Sequence, residues 1–216
     1  MPEKKRAAEI VREYGPYPDI PHVHGVSHDG RNVWIAAGSR LVAMDPASGA
    51  TTRSLAVAAD AGTAFDGKHL YQIAEDRIDE IDPASGAVVR SIPAPGHGRD
   101  SGLAWADGTL WVGQYRERKI HQIDPATGAI LRTIESDRFV TGVTWVDGEL
   151  WHGTWEDDAS DVRRVDPQSG AVLERLEMPA GTFVTGLESD GGELFYCGGG
   201  PSGKVRAVKR PKGKRP

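Results

Sequence analysis

"GLAWADGTLWVGQYRERKIHQIDPATGAILRTIE", Gly102 to Glu135, decides the fold. A short apolar run leads to Asp107-Gly108, and a second run carrying Trp111 leads away from it. Asp-Gly between alternating apolar runs is a strong hairpin signal, because a tight primed turn needs positive φ at its centre. The second half turns again at Asp124-Pro125. Pro presets φ for a turn, and Gly128, three residues on, supplies a left-handed position. The flanking "KIHQID" and "AILRTIE" alternate and are rich in β-branched residues, as strands are. One unit is therefore two hairpins, or four strands.

The unit recurs. The first phrase starts at Gly25, Gly62, Gly102, Gly142 and Gly186, and the second turns at Asp45, Asp82, Asp124 and Asp166, spaced 37, 42 and 42 residues. Four short strands in roughly 40 residues is the signature of a β-propeller blade. A helical repeat is excluded, since no segment has 3.6 periodicity and Gly or Pro breaks each one. The fifth unit has three strands and then the chain ends. Its fourth is expected from the other terminus, where "EIVREYG" from Glu9 places Arg12 as the other outer strands place Arg53, Arg90 and Arg132. The sequence thus predicts an all-β, five-bladed β-propeller over residues 1–210, with four antiparallel strands per blade. Its N-terminal strand closes the ring and removes the open edges of a linear array.

Composition bounds what such a ring can do. The 216 residues carry a net charge of -5, so no nucleic-acid partner is expected. The single cysteine, Cys197, permits no internal disulfide. "MPEKKRAAEIVREYG" lacks the apolar core of a secretory signal, and no apolar run reaches the ~18 residues of a membrane span. These features predict a cytoplasmic protein without a membrane partner, and a closed ring predicts a monomer. The end, residues 211–216, is read as a basic, disordered tail.

The nine repeated turns fall on one face. The variable loops, between strand d of one blade and strand a of the next and between b and c, fall on the other. Irregular loops on a rigid scaffold are where sites usually lie. That face carries His22, His24, Glu75, Asp76, His97, Arg99, Asp100, Tyr115, Arg116, Glu117, His152, Trp155, Glu156, Asp157, Asp158 and Cys197. Ser101, Thr141 and Thr185 stand immediately before a strand-a glycine and form a candidate ring of hydroxyls at the channel entrance. Glu75 ends strand b of blade two, where a carboxylate at a channel mouth can serve as a general acid or base. His22 and His24, spaced i, i+2, point the same way on an extended strand and could put two ligands on a divalent cation in the central channel. The cofactor is otherwise open. Trp34, Trp105, Trp111, Trp145 and Trp151 read as packing between blades. Cys197 reads as a small buried hydrophobe.

"GVTWVDGELWHGTWEDDASDVRRVDPQSGAVLERLE", with Trp151 and Trp155 before an Asp-Pro turn, resembles the fourth blade of the glutamine cyclotransferase family, the plant- and bacterial-type glutaminyl-peptide cyclotransferases. The same grammar occurs in virginiamycin B lyase-like propellers. The resemblance implies a five-bladed propeller that turns an N-terminal glutamine into pyroglutamate, with a carboxylate shuttling the proton in an aromatic-lined pocket. Trp155 matches the second Trp of the blade-four motif, and Thr141 stands where the family has Asn. The family's catalytic Glu falls near Ile35, in "WIAAG". The acid is therefore expected one blade over, at Glu75, with His24 and Asp100 beside it. Arg99, Tyr115, Arg116, Thr141, His152, Trp155, Glu156, Thr185 and Cys197 are the expected substrate-binding set. The leading expectation is a small-molecule or peptide-end enzyme of this type. The alternatives are a metal-dependent lyase, or a non-catalytic propeller binding a ligand or a protein.

Overall fold

A computed structural model describes residues 3–211. Five sheets form the ring. Blade one holds Gly25–His28, Val33–Ala36, Leu41–Met44 and Thr51–Leu55, in the order a to d from the channel outward. Blade two runs from Thr63–Phe65 to Val88–Pro93, blade three from Asp100–Ala106 to Ile130–Glu135, and blade four from Val140–Val146 to Val172–Glu177. In blade five, Leu187–Ser189, Leu194–Gly198 and Val205–Lys209 are completed by Ile10–Tyr14, antiparallel to Val205–Lys209. The N-terminal closure read from "EIVREYG" is present. Among the described residues there is no helix, hence none long and apolar enough to cross a membrane. Residues 212–216 of the expected tail lie outside the described residues.

One strand was not anticipated. Lys4–Ala7 adds to the outer edge of blade four, parallel to Val172–Glu177. All four of its residues are exposed, so no alternation announces it. Backbone pairing holds it, helped by Arg6 on Glu174 at 3.0 Å and Arg175 on Glu3 at 2.8 Å. Residues 4–14 thus span the outer strands of blades four and five.

The repeated residues have mechanical roles. In each Asp-Pro turn the Asp carboxylate accepts from the amide two residues on, as Asp45 does from Ala47 at 2.9 Å and Asp82 from Ala84 at 2.7 Å. Turn hydrogen bonds, led by the Ser48 hydroxyl at Asp45, the Ala84 amide at Asp82 and the Ser169 amide at Asp166, hold these carboxyls below the usual range. The outer-strand arginines staple each blade to the next. Arg12 donates to Pro46 O, Arg53 to Ala84 O, Arg90 to Ala126 O and Arg132 to Pro167 O. Blade five has no Asp-Pro turn for blade four to reach, and there Glu174 replaces the arginine and pairs with Arg6.

Tight primed turns occur at Asp107-Gly108 and Asp147-Gly148, where both residues have positive φ. Blades one and two differ. Their Asp-Gly loops are longer, only Gly30 and Gly67 are left-handed, and the Asp caps the loop, as when Asp29 Oδ1 accepts from Arg31 at 2.8 Å. The aromatics pack between blades as expected: Trp105 stacks on Tyr71 at 5.4 Å and Trp145 on Trp111 at 6.2 Å between ring centroids.

The five strand-a glycines close the channel. A Cβ on Gly25 would meet Ala61 O at 2.5 Å, one on Gly62 would meet Leu103 N at 2.5 Å, and one on Gly186 would meet Val26 N at 2.5 Å. Gly102 and Gly142 meet the backbone of the following blade in the same way. Each glycine lets the next strand lie against it, and the circuit returns to its start. The ring forms a floor, with the variable loops above it.

Candidate functional site

Above that floor is a cavity of about 440 Å³, within the range of small-molecule sites. Its lining comes from the d–a and b–c loops and, at Asp100, Ser101 and Thr141, from the first residues of strand a. The five residues directly before the ring glycines, His24, Ala61, Ser101, Thr141 and Thr185, all line it. His22, Asp60, Asp100 and Phe183 stand one or two places earlier in the same loops, and Tyr115, Trp155 and Pro201 come from b–c loops. The strand-a glycine therefore sets the position of most of the lining by chain offset alone.

Two of the hydroxyls join blades. Ser101 donates to Val140 O at 2.8 Å and Thr185 to Val23 O at 2.6 Å. Thr141 is 6% exposed and its Oγ1 has no partner, so the ring of hydroxyls is not uniform.

Asp100 is the desolvated acid of the cavity. Burial pushes its carboxyl up, against bonds from Gly96 N at 2.9 Å and from Gln114 Nε2 at 3.5 Å. Asp60 is exposed at the mouth and accepts from Glu75 N at 3.3 Å. The rings of His22 and His24 lie 4.3 Å apart. Burial lowers both imidazoles, and at His24 the neighbouring His22 lowers it further while Asp60 opposes. They are neutral near pH 7.

Aromatic pairs form two walls. Trp155 stacks on Phe183 with centroids 3.8 Å apart, and Tyr115 on Phe139 at 4.8 Å. The Trp155 loop is clamped from behind. Arg138 Nη2 donates to Glu156 O at 2.6 Å and to Ala159 O at 3.0 Å, and both Arg118 and Arg138 pair with the Glu156 carboxylate.

The expected site residues divide accordingly. His24, Asp100, Tyr115, Thr141, Trp155 and Thr185 are brought together. Glu75 is not among the lining residues: it sits in a left-handed turn, 75% exposed, with its carboxylate 3.5 Å from Arg77. Arg99 and Glu117 pair with each other on the rim at 3.4 Å, and Arg116 is exposed. Glu156 braces the Trp155 loop instead of facing the cavity. His152 is buried below it, 1% exposed, and burial lowers its imidazole to about 4. Cys197 is buried, with its thiol pushed up to about 12. Asp60, Ala61, Phe183 and Pro201 were not anticipated. The offset that singled out Ser101, Thr141 and Thr185 also reaches Ala61, and one step further reaches Asp60 beside Asp100. Among the described residues, no three His, Cys, Asp or Glu side chains gather as a metal-ligand set.

The family model for glutamine cyclotransferase matches residues 132–198, which run from the outer strand of blade three through strand b of blade five. No curated protein matches the chain. Among solved structures, the glutaminyl cyclase of Myxococcus xanthus is similar with a TM-score of 0.79 at 17% identity, over 96% of this chain and 98% of that one. A chain of a mitotic checkpoint complex is similar with a TM-score of 0.58 at 13% identity, over 94% of this chain and 95% of that one. The resemblance read from the blade-four motif is thus met by the family model over that same blade.

Proposed function

We propose that this chain is a glutaminyl cyclotransferase-like enzyme whose site is the cup above the glycine ring. One observation carries the reading: a carboxyl withdrawn from water, Asp100, lies in a cavity that also holds neutral imidazoles and stacked aromatics. Cyclisation of an N-terminal glutamine joins the α-amine to the side-chain amide carbon and releases ammonia. The attacking nitrogen loses a proton and the departing nitrogen gains one. Asp100 accepts the first as a carboxylate and returns it as an acid. Such a group works best with a pKa moved toward the working pH, and its desolvation moves it that way. The cup contributes by holding the side chain folded back on the amine, which removes the entropy of ring closure from the reaction step. Trp155 and Phe183 supply the wall for the glutamine methylenes, and Asp60 supplies a charge at the mouth for the incoming amine.

The test is turnover of a short glutamine-initiated peptide, followed by ammonia release and the mass of the product. Asp100→Asn should lower kcat by about 100-fold or more, the usual range for a lost general acid–base. Glu75→Gln should leave it unchanged. The reverse pattern would return the role to Glu75, and no turnover by the intact protein would sink the reading.

A further inference from the structure

Behind the Trp155 loop, blade four departs from the repeat. Five residues before the Asp of each Asp-Pro turn stand Arg40, Arg77, Lys119 and Asp161, so blade four alone of these has an acid there. Two places on, Val42, Asp79 and His121 give way to Arg163, which is fully buried. The residue opposite on strand d is Ser54, Ser91 or Thr133 in blades one to three and Arg175 in blade four.

Asp161, 2% exposed, is the hub of these changes. Its carboxylate accepts from Thr154 Oγ1 at 2.6 Å and from Arg163 Nε at 2.7 Å, and lies 3.5 Å from both Arg138 Nη1 and Arg175 Nε. Thr154 ends strand b and Asp161 starts strand c, so this carboxylate ties together the two roots of the loop that carries Trp155. The loop tip is a tight primed turn, with Glu156 paired to Ala159 and positive φ at Asp157 and Asp158. Arg138 reaches from the Asp161 carboxylate to the carbonyls of Glu156 and Ala159. Its neighbour Phe139 accepts from Trp155 N at 3.3 Å.

Stability does not require this cluster. Replacing a buried ion pair by apolar residues of similar volume is often neutral, and blade one fills the same place with Val42 and Ser54. What the cluster adds is direction, because a planar guanidinium satisfies several fixed acceptors in one orientation only. We infer that Asp161 and Arg138 are a positioning pair, which fixes the Trp155 loop so that the indole stays stacked on Phe183 as a wall of the cup. Neither lines the cavity, and both act through Trp155. The role concerns the wall itself. Only its kinetic consequence rests on the cyclotransferase reading.

Acrylamide quenching of Trp155 tests the pair. The chain has six tryptophans, so the Trp155 signal is the difference between each protein and its Trp155→Phe counterpart. Two variants remove the anchor. Arg138→Gln cuts the reach to the turn carbonyls and leaves Asp161 with Thr154 and Arg163. Asp161→Lys combined with Arg163→His and Arg175→Thr gives blade four the residues of blade three, where His121 Nδ1 and Thr133 Oγ1 lie 2.7 Å apart. In both variants the quenching of Trp155 should rise at least about twofold, as for an indole released from its stack. KM for a glutamine-initiated peptide should rise about tenfold with kcat nearly unchanged, the pattern of lost binding without lost chemistry. Arg77→Gln, at the matching place in blade two, should leave the Trp155 signal at the parent value. Should the triple variant fail to fold, Arg138→Gln decides alone. Parent-like quenching in Arg138→Gln, or an equal rise in Arg77→Gln, would overturn the inference. A rise confined to the blade-four variants in a protein that turns over no glutamine peptide would retain the positioning pair and remove the reaction.

Discussion

Arg12 donates to the carbonyl of Ala47 at 2.8 Å, across the seam where the two ends of the chain meet. The same guanidinium reaches Pro46 O at 3.1 Å. Three other outer-strand arginines make the equivalent reach, but only Arg12 belongs to the strand that closes the ring. Removing it weakens closure itself. Arg12→Ala should cost about 1 kcal/mol, as for a solvent-accessible hydrogen bond to a charged donor, and lower the melting temperature by about 2–4 °C in a domain of this size. Thermal melting checks it. Arg53→Ala, at an internal seam, provides the comparison, because there the chain is continuous.

The glycine ring predicts a sharper effect. A Cβ on Gly186 would stand 2.5 Å from Val26 N, and backbone on a neighbouring strand cannot step aside as a side-chain tip can. Gly186→Ala should destabilise by about 3 kcal/mol or more, the cost of overpacking against a rigid partner. Gly108→Ala meets nothing within 4 Å and carries only the penalty of its left-handed backbone, about 1 kcal/mol. Urea titration of both variants would order them. A milder effect at Gly186 would mean that the channel can widen.

These two features explain what could be read from the sequence. The fold was legible because its signals are local and repeated: Asp107-Gly108 and Asp124-Pro125 each fix a turn within a few residues. Lys4–Ala7 was not, because a strand held by its backbone and by Arg6 on Glu174 needs no pattern of its own. The site was legible in part for the same reason. Thr141 and Thr185 keep a fixed offset from a glycine, so their placement follows from the repeat. Glu75 does not: a left-handed turn swings it outward to Arg77, and that turn depends on loop geometry. Asp60 was hidden in "AVAADAG", a loop whose only polar side chain gave no chemical pattern.

Cys197 should be silent in the folded protein. It is fully buried and burial raises its thiol to about 12, so almost no thiolate exists near pH 8. A disulfide reagent should give no reaction with native protein and one thiol per chain in denaturant. Rapid reaction under native conditions would show that strand b of blade five opens.

Glu188 makes stability depend on pH. It lies two residues beyond the ring glycine of blade five, in strand a, and accepts from Thr144 Oγ1 and from Ser189 N. Burial raises its carboxyl from 4.5 to about 7. Below pH 4.5 the group is protonated in both folded and unfolded chains, and it contributes no difference. Between 4.5 and 7 the unfolded chain loses the proton first, so stability falls as pH rises. Above 7 the penalty is constant, at most about 3 kcal/mol. Glu188→Gln keeps an acceptor for Thr144 and Ser189 without the charge. It should therefore stabilise the protein at pH 8 by about 1–3 kcal/mol and make no difference near pH 4. Denaturation midpoints at the two pH values test this, and a gain of the same size at both would assign the effect to packing.

The pH profile of turnover tests Asp100 separately. Because burial raises its carboxyl, the acid limb of kcat/KM should fall at a higher pH than an ordinary carboxylate near 3.9 gives. His24 titrates below its ordinary value and so adds no second limb between pH 7 and 8. Gln114→Leu removes a bond that favours the charged form of Asp100, which should move the acid limb further upward while the enzyme stays active. A limb that does not move, or one at the position of an exposed carboxylate, would show that Asp100 is not the group whose proton the reaction uses.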